Sequence, residues 1–222
     1  MRALSLLVIL LGAAACGTGA STYSLGSQST ADRAEQVQGA TLTVHDVLGT
    51  EFIRDNGLTE QRLGRATAYN NPDPRTACGR KLPLPVSSRS AFVVISGSSL
   101  YITDFVFDLA PAQAHRFIAL NRATAILGCP IFRSQTPYGY RQINQFLSVV
   151  DLPSVGSESF AFSVRVRKPG AQWLYATEVL ARRDGLLSML AIIAGKQAPS
   201  GLIAALLIAA DRRTAAVTTP AG

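Results

Sequence analysis

The stretch YITDFVFDLAPAQAHRFIALNRATAILGC, which runs from Tyr101 to Cys129, decides the fold of this chain. It opens as a strand, because side chains on an extended backbone alternate between two faces and the sequence alternates with them. One face carries Tyr101, Thr103, Phe105 and Phe107, and the other carries Ile102, Asp104 and Val106. We expect Asp104 to lie on the open face of this strand, in contact with solvent.

The second part of the stretch is predicted to be a helix that ends just before a cysteine. Pro111 suits a first helical turn, where its missing N–H would have no partner in any case. Apolar positions follow a helical stripe as far as Leu127: they include Ala114, Phe117, Ile118 and Ala125. Gly128 is typical of a helix end, and Cys129 follows at once.

The elements before this stretch are predicted to be a short helix, a loop and a strand. Thr43 begins the helix, and Asp46, three residues later, suits the return half of a capping box. The run NNPDP at 70–74 has the composition of a turn and leads to Cys78. Ala91 to Ser96 is rich in β-forming residues, and the Gly-Ser pair after it indicates a hairpin with the quoted strand.

The second half of the chain indicates further antiparallel strands and a last helix. We predict strands at Gln145–Val150, from Phe160 to Arg167, at Trp173–Arg183 and at Leu186–Ala194. Asp184-Gly185 is a strong two-residue hairpin signal. The last run is apolar without clear alternation, which favours a central strand covered on both faces; a helix is the alternative, because Leu, Met and Ala dominate. Ser200 begins the last helix.

This order of elements predicts an α+β fold, in which a twisted antiparallel sheet is packed by two or three helices. The folded domain is expected at 41–213. Residues 16–40 are rich in Gly, Ser, Thr, Ala and Gln and are expected to form a flexible tether. Residues 214–222 are expected to form a flexible tail.

The N-terminus has the composition of an export signal. A charged start is followed by an apolar run and a small-residue exit over residues 1–15, which is typical of a secretory signal peptide. The apolar run is shorter than the ~20 residues that span a bilayer. The small residues before Cys16 resemble the lipobox of bacterial lipoproteins, although Ala13 replaces the usual Leu. That resemblance implies cleavage before Cys16, a diacylglyceryl thioether on its sulfur, an acyl chain on its amine, and a place on the outer face of the membrane; a signal peptide with a chance cysteine is the alternative.

The other two cysteines are predicted to form a disulfide. Cys78 and Cys129 are an even number in an oxidising compartment, and they lie 51 residues apart. Metal binding is the weaker alternative, because the sequence has neither a CxxC nor an HxxxH spacing.

The chain is basic, with a formal net charge of +7 and a pI near 9.8. Its Lys and Arg residues are dispersed and form no run of five or more, and an exported chain does not meet the genome. We therefore expect no nucleic-acid partner. Net charge bears on association rather than on fold, so anionic lipids or wall polymers are the more plausible partners, with mere solubility as the alternative.

Taken in order, these features resemble the actinobacterial sensor-domain lipoproteins related to the extracellular domain of the kinase PknH. The shared features are Cys78, the hairpin and helix of 101–129, the strand GSESFAFSVRV at 156–166, and YATEVLARRDGLLSMLAIIAG at 175–195 before an apolar last helix. The resemblance implies an exported binding domain with a cleft against its sheet and no catalytic residues. The chain departs from the pattern in lacking cysteines for a second disulfide, a kinase domain and a transmembrane helix.

Sequence motifs for catalysis and for a cofactor are weak. No GxSxG elbow and no glycine-rich phosphate loop after a strand are found. His45 beside Asp46 and His115 are the only imidazoles, and Asp151 with Glu158 are the best placed pair of carboxylates. We expect solvated or capping roles for these residues, and we predict neither an enzyme nor a cofactor.

A basic face is the candidate binding site. Arg165, Arg167 and Arg182 lie on neighbouring predicted strands and would form a positive face for an anionic ligand, such as a phospholipid headgroup, a teichoic-type phosphate or a glycolipid. A solvated face with charges that protect a sheet edge is the alternative. Trp173 is expected to be a packed or half-buried aromatic residue rather than a ligand platform.

The sequence thus predicts a membrane-anchored envelope lipoprotein whose non-catalytic, sensor-like domain binds a lipid, a glycan or a protein partner. A carrier of lipid or another hydrophobic ligand is the first alternative. A cell-wall hydrolase is the second, and it requires His45 or His115 beside a nucleophile.

Overall fold

The computed structural model describes residues 30–48, 50, 57–62, 75–77, 80–82, 89–97, 100–126, 131–135, 141–167 and 170–218 of the chain. Its helices are α1 (Thr30–Gly39), α2 (Val44–Leu48), α3 (Pro111–Ile126) and α4 (Ser200–Thr218). Its strands are β1 (Thr59–Arg62), β2 (Arg75–Ala77), β3 (Arg80–Leu82), β4 (Ser90–Ser96), β5 (Leu100–Asp108), β6 (Ile131–Gln135), β7 (Arg141–Val149), β8 (Glu158–Arg167), β9 (Leu174–Arg183) and β10 (Leu186–Ala194).

The described strands form one antiparallel sheet in the order β1-β4-β5-β10-β9-β8-β7-β6-β2-β3. Every pairing between neighbours is antiparallel, and the sheet stays open. The predicted α+β class and the antiparallel sheet are therefore confirmed. The short strands β1, β2, β3 and β6, which extend the two ends of the sheet, were not predicted from the sequence.

Two tight turns set the register of the central strands. Asp184 and Gly185 both have positive φ, 45° and 83°, and they join Arg183 to its partner Leu186. This backbone twist matches the right-handed twist of the flanking strands, which is why Asp-Gly is favoured there. The hairpin between β4 and β5 is closed by a hydrogen bond of 2.9 Å from the Gly97 N–H to the Leu100 carbonyl. Both predicted hairpins are confirmed.

Helices cover both faces of the sheet. On the first, the α3 face, Phe117 and Ile118 of α3 pack with aromatic and aliphatic residues of β5, β8 and β10. On the second, the α4 face, α1, α2 and α4 pack over the same strands. The alternation predicted for β5 and β8 is confirmed, because Phe107 and Phe160 lie on the α3 face and Ile102 and Ala161 on the α4 face.

Strand β10 lies in the middle of the sheet, between β5 and β9. Leu186 and Leu187 point to opposite faces, and both side chains are fully buried. Burial on both sides removes the alternation that a half-exposed strand shows. The apolar run is therefore the predicted central strand and not the alternative helix.

Asp104 of β5 is fully buried, so the prediction that it lies on an open face is wrong. Its Oδ2 accepts a hydrogen bond from the Leu42 backbone N–H at 2.9 Å, and its Oδ1 accepts one from the Ser188 hydroxyl at 2.8 Å. The side with Ile102 and Asp104 is the α4 face, and distant parts of the chain cover it. No alternation within β5 could indicate that cover.

The folded domain extends beyond both predicted boundaries. Helix α1 falls inside the predicted tether. Its Val37, and Ala40 directly after it, pack against β4, β5 and β10. Helix α4 continues to Thr218, past the predicted start of the tail, and buries Thr214. The domain therefore runs from at least residue 30 to 218.

Several predictions fall on residues outside the described ranges. These residues are Cys16, Cys78 and Cys129, together with the signal peptide and most of the tether, so lipid attachment and the disulfide stay predictions. Among the described helices, none has the length and apolar character needed to cross a membrane.

Candidate functional site

Two arginines and the chain's only tryptophan meet at one end of strands β8 and β9. Arg165 and Arg167 are two residues apart on β8, so they share the α4 face of the sheet. Trp173 lies just before β9, where Val166 pairs with Leu174. The guanidinium carbons of Arg165 and Arg167 lie 5.2 Å and 4.5 Å from the centre of the indole ring.

Gln145 of the neighbouring strand β7 completes this arrangement, which we call the arginine–tryptophan cluster. Gln145 pairs with Arg165 across the sheet, and its Oε1 accepts a hydrogen bond of 2.6 Å from Arg165 Nη2. The Nε atoms of Arg165 and Arg167 are buried and have no hydrogen-bond partner within the described structure. The indole face attracts both cations, because its quadrupole is negative above the ring.

Within the part of the chain that the structure describes, the cluster holds two positive charges without a carboxylate against them. No ion pair in the described ranges involves Arg165 or Arg167. Two like charges on one ring repel each other, and partial burial weakens the screening by water. An anionic group at this end of the sheet would compensate the charge.

Arg182 does not join Arg165 and Arg167, so the predicted face of three arginines does not form. Arg182 pairs across the sheet with Glu158, which is seven residues before Arg165, or about 23 Å along an extended strand. Because Glu158 and Arg165 are an odd number of residues apart on β8, they point to opposite faces of the sheet. Arg182 pairs with Glu158 and therefore lies on the α3 face, whereas Arg165 lies on the α4 face. Its Nε donates to Glu158 Oε2 at 2.9 Å, so its charge is compensated.

Glu158 is the centre of a second cluster, on the α3 face. Its carboxylate contacts His115 Nδ1 at 2.8 Å, Arg122 Nη1 at 3.3 Å and Arg182 Nε at 2.9 Å. Burial by itself raises the pKa of Glu158, but the hydrogen bonds from His115 and Arg182 and the nearby charge of Arg122 outweigh it. The pKa therefore lies below its ordinary value, and the cluster ties α3 to β8 and β9.

Replacing Glu158 with Gln is expected to lower the free energy of unfolding by about 1–2 kcal/mol at pH 7, because two arginines lose their partner. A carboxylate with a lowered pKa stabilises the fold above its unfolded-state pKa and ceases to do so as the pH falls through its folded-state pKa. Urea denaturation should therefore show the difference between E158Q and wild type shrinking below about pH 4.5. E35Q, which changes an exposed residue of α1, is the matched control; an equal loss in E35Q would contradict the assignment.

The hydrolase alternative requires His45 or His115 beside a nucleophile, and the described structure does not place either of them so. His45 is exposed on α2, and His115 contacts a carboxylate that two arginines already hold. Among the described residues, neither histidine is hydrogen-bonded to a serine or threonine hydroxyl. Asp151 is exposed in the loop before β8 and does not share the surroundings of Glu158.

Gln145 was not recognised from the sequence. Trp173 was expected to be a packed or half-buried aromatic residue, and it is half-buried, but its contact with the two arginines was not predicted. The signal for Trp173 is local: it follows Arg167 by only six positions, so the antiparallel pairing of β8 with β9 returns it to the same end of β8. The signal for Gln145 depends on the register of β7 with β8. That register is broken by a bulge between Phe146 and Ser148, which sequence alternation does not show.

Comparison with known proteins establishes the class of fold. No family model matches the chain, and no curated protein matches its sequence. Among solved structures, it is similar to the extracellular domain of PknH from Mycobacterium tuberculosis, with 10% identity, a TM-score of 0.55, and coverage of 83% of this chain and 95% of that one. An uncharacterised protein from Mycobacterium smegmatis, the Rv0999 ortholog, matches with 11% identity, a TM-score of 0.36, and coverage of 75% and 95%. The match to the PknH extracellular domain confirms the resemblance to the PknH-type sensor domain at the level of the fold.

Proposed function

We propose that this chain is an exported lipoprotein, anchored to the membrane through Cys16, with a non-catalytic sensor-like domain that binds a ligand or partner of the cell envelope. The lipobox-like sequence supports the anchor. The fold of a solved extracellular domain supports a place outside the cytoplasm. The anchor and the domain are close in sequence, because Thr30, the first described residue, follows Cys16 by fourteen positions.

This spacing limits where the domain works. Fourteen residues span at most about 50 Å when fully extended. The domain therefore stays within that distance of the bilayer surface once Cys16 is acylated. A ligand of the envelope is within reach, whereas a distant partner would have to approach the membrane.

The arginine–tryptophan cluster is the observation that carries the binding function. It combines two half-buried cations, an aromatic ring and no carboxylate contact in the described structure. Such an arrangement is costly to maintain as a purely structural feature, since buried polar atoms are nearly always hydrogen-bonded. A negatively charged ligand would relieve that cost.

The anchor is tested by following the full chain in an actinobacterial host. We expect the wild-type protein in the membrane fraction, accessible to external protease, with a diacylglyceryl and acyl-modified N-terminal peptide detected by mass spectrometry. Cys16→Ala should abolish the modification and release the protein from the membrane, because lipid chains supply the membrane affinity. Cys78→Ala is the matched control and should keep the modification. An unmodified Cys16 in a chain that retains Met1 would contradict the proposal.

A further inference from the structure

The two unpaired Nε atoms of the arginine–tryptophan cluster distinguish it from every other charged site in the described structure. Arg165 Nε and Arg167 Nε are the only buried side-chain nitrogen or oxygen atoms there without a hydrogen-bond partner. Guanidinium charge is delocalised over three nitrogens, so compensation at the outer Nη groups also lowers the cost of burying Nε. The unpaired atoms therefore favour an anion-binding role over a packing role.

The outer nitrogens of Arg167 are available for such an anion. Arg167 is half-buried, and only its Nε is among the buried unpaired atoms, so its Nη groups reach the surface. No hydrogen bond to another described residue occupies them. Arg165 donates to Gln145 through Nη2, and no hydrogen bond to a described residue occupies its Nη1. The contacts with the indole ring hold both guanidinium groups in place before any ligand arrives, which reduces the entropy lost on binding.

We propose that the arginine–tryptophan cluster binds a phosphate monoester, with Arg167 as the principal contact and Arg165 as the second. This inference rests on the proposed binding function and specifies its ligand. A phosphate monoester carries close to two negative charges at neutral pH and three acceptor oxygens. It matches two guanidinium groups in charge. The Nη pair of Arg167 can engage two of its oxygens in parallel, and Nη1 of Arg165 can donate to an oxygen as well.

Single-charge anions fit the cluster less well. A carboxylate or a phosphate diester carries one negative charge and would leave one guanidinium uncompensated. The phosphate monoester has two sources in a cell envelope: a soluble metabolite, or the headgroup of a lipid such as phosphatidic acid. Both present the same chemistry to the cluster, so the source is decided by experiment.

The single tryptophan of the chain gives a direct readout, because Trp173 is the residue on which both arginines lie. The full chain is extracted in detergent and titrated with glycerol 3-phosphate at constant ionic strength while tryptophan fluorescence is followed. We expect a saturable change in fluorescence, and binding at least about tenfold weaker for dimethyl phosphate and for acetate, which carry one charge. Calorimetry under the same conditions confirms the stoichiometry.

Variants separate binding from folding. Arg167→Gln should weaken binding of glycerol 3-phosphate at least about tenfold, and Arg167→Lys should weaken it less, since the charge stays and the fork is lost. Arg116→Gln removes one positive charge from the exposed side of α3 and is the matched control, expected to bind as wild type. Circular dichroism establishes that each variant is folded.

The source is decided by a second arm, in which the acylated chain is reconstituted in vesicles. The ligand is a lipid headgroup if fluorescence changes with phosphatidic acid and not with phosphatidylglycerol at equal surface charge. It is a soluble metabolite if only glycerol 3-phosphate produces a change. Absence of a saturable change in both arms overturns the proposal, as does equal binding by folded R167Q and R116Q. Membrane anchoring through Cys16 is measured in a separate experiment. Failure of phosphate binding would therefore not contradict the proposed export and anchoring of the chain.

Discussion

Replacing Cys78 with Ala is expected to lower the free energy of unfolding by about 4 kcal/mol, the loop-closure contribution of a disulfide that spans 51 residues. The described strands favour a bridge to Cys129. Ala77, directly before Cys78, pairs with Phe132, three residues after Cys129. A disulfide there would hold β2 and β3, the short end strands of the sheet, to the strand that follows α3.

Urea denaturation with and without a reductant measures this effect. Cys129→Ala and the double variant should lose as much as Cys78→Ala, because one bond is removed in each case. Reduction should bring the wild-type protein to the stability of the variants and leave the variants unchanged. Non-reducing peptide mapping should recover the Cys78 and Cys129 peptides as one species. Two free thiols in the exported protein, with no effect of reductant, would refute the bridge.

Replacing Asp104 with Asn is expected to stabilise the domain by up to about 3 kcal/mol at pH 7 and by almost nothing at pH 4. Burial raises the pKa of Asp104 from 3.8 to about 6, and it outweighs the hydrogen bonds from Leu42 and Ser188 that favour the charged form. Asn preserves the contacts, since its oxygen accepts from the Leu42 N–H and its amide donates to the Ser188 hydroxyl. It differs from the carboxylate in carrying no charge.

The sign follows from the order of deprotonation. As the pH rises from about 3.8 to about 6, the unfolded chain loses the Asp104 proton while the folded domain retains it. The free energy of unfolding of the wild-type domain therefore falls over this range. Above about pH 6 the full cost of burying the carboxylate applies. That cost is about 3 kcal/mol, at about 1.4 kcal/mol for each pH unit between the two pKa values.

Urea denaturation of D104N and wild type across pH 4 to 7 tests this prediction. The difference in stability should grow with pH and level off above about pH 6. Asp151→Asn, at an exposed loop position, is the matched control and should show no such growth. A D104N variant less stable than wild type throughout the range would show that the ionised carboxylate is needed by its two donors.

Much of the sheet was predictable from the sequence because its signals are local. Alternation placed β5 and β8 correctly, and the Asp184-Gly185 pair placed the hairpin between β9 and β10. The short helix α2 was predicted from Thr43 and Asp46, whose side chains lie 2.7 Å apart across the first turn. Each of these signals involves residues within a few positions of one another.

Elements whose stability depends on distant contacts were missed. Helix α1 has a polar sequence and no strong apolar period, yet it packs on β4, β5 and α4. One of its ion pairs joins Arg33 to Asp108, 75 residues away, at 2.9 Å. Such a contact exists only once the sheet has formed.

The sequence predicted two of the three arginines of the candidate site correctly and placed the third wrongly. Arg165 and Arg167 share a face because they are two residues apart, and that spacing is readable. Arg182 was grouped with them because it is basic and close in predicted strand order. Its true position depends on the register of β8 with β9, which pairs it with Glu158 at the far end and on the other face.

The sequence by itself determined the class of fold and the central strands with their turns, and it predicts a lipid-bearing cysteine near the N-terminus. These follow from periodicity, turn chemistry and composition, all of which act over short distances along the chain. Only the tertiary structure decided that Asp104 is buried, that Glu158 contacts two arginines and a histidine, and that two arginines lie on Trp173. The physical reason is that burial and charge compensation depend on strand register and on helices contributed by remote segments, neither of which leaves a local pattern.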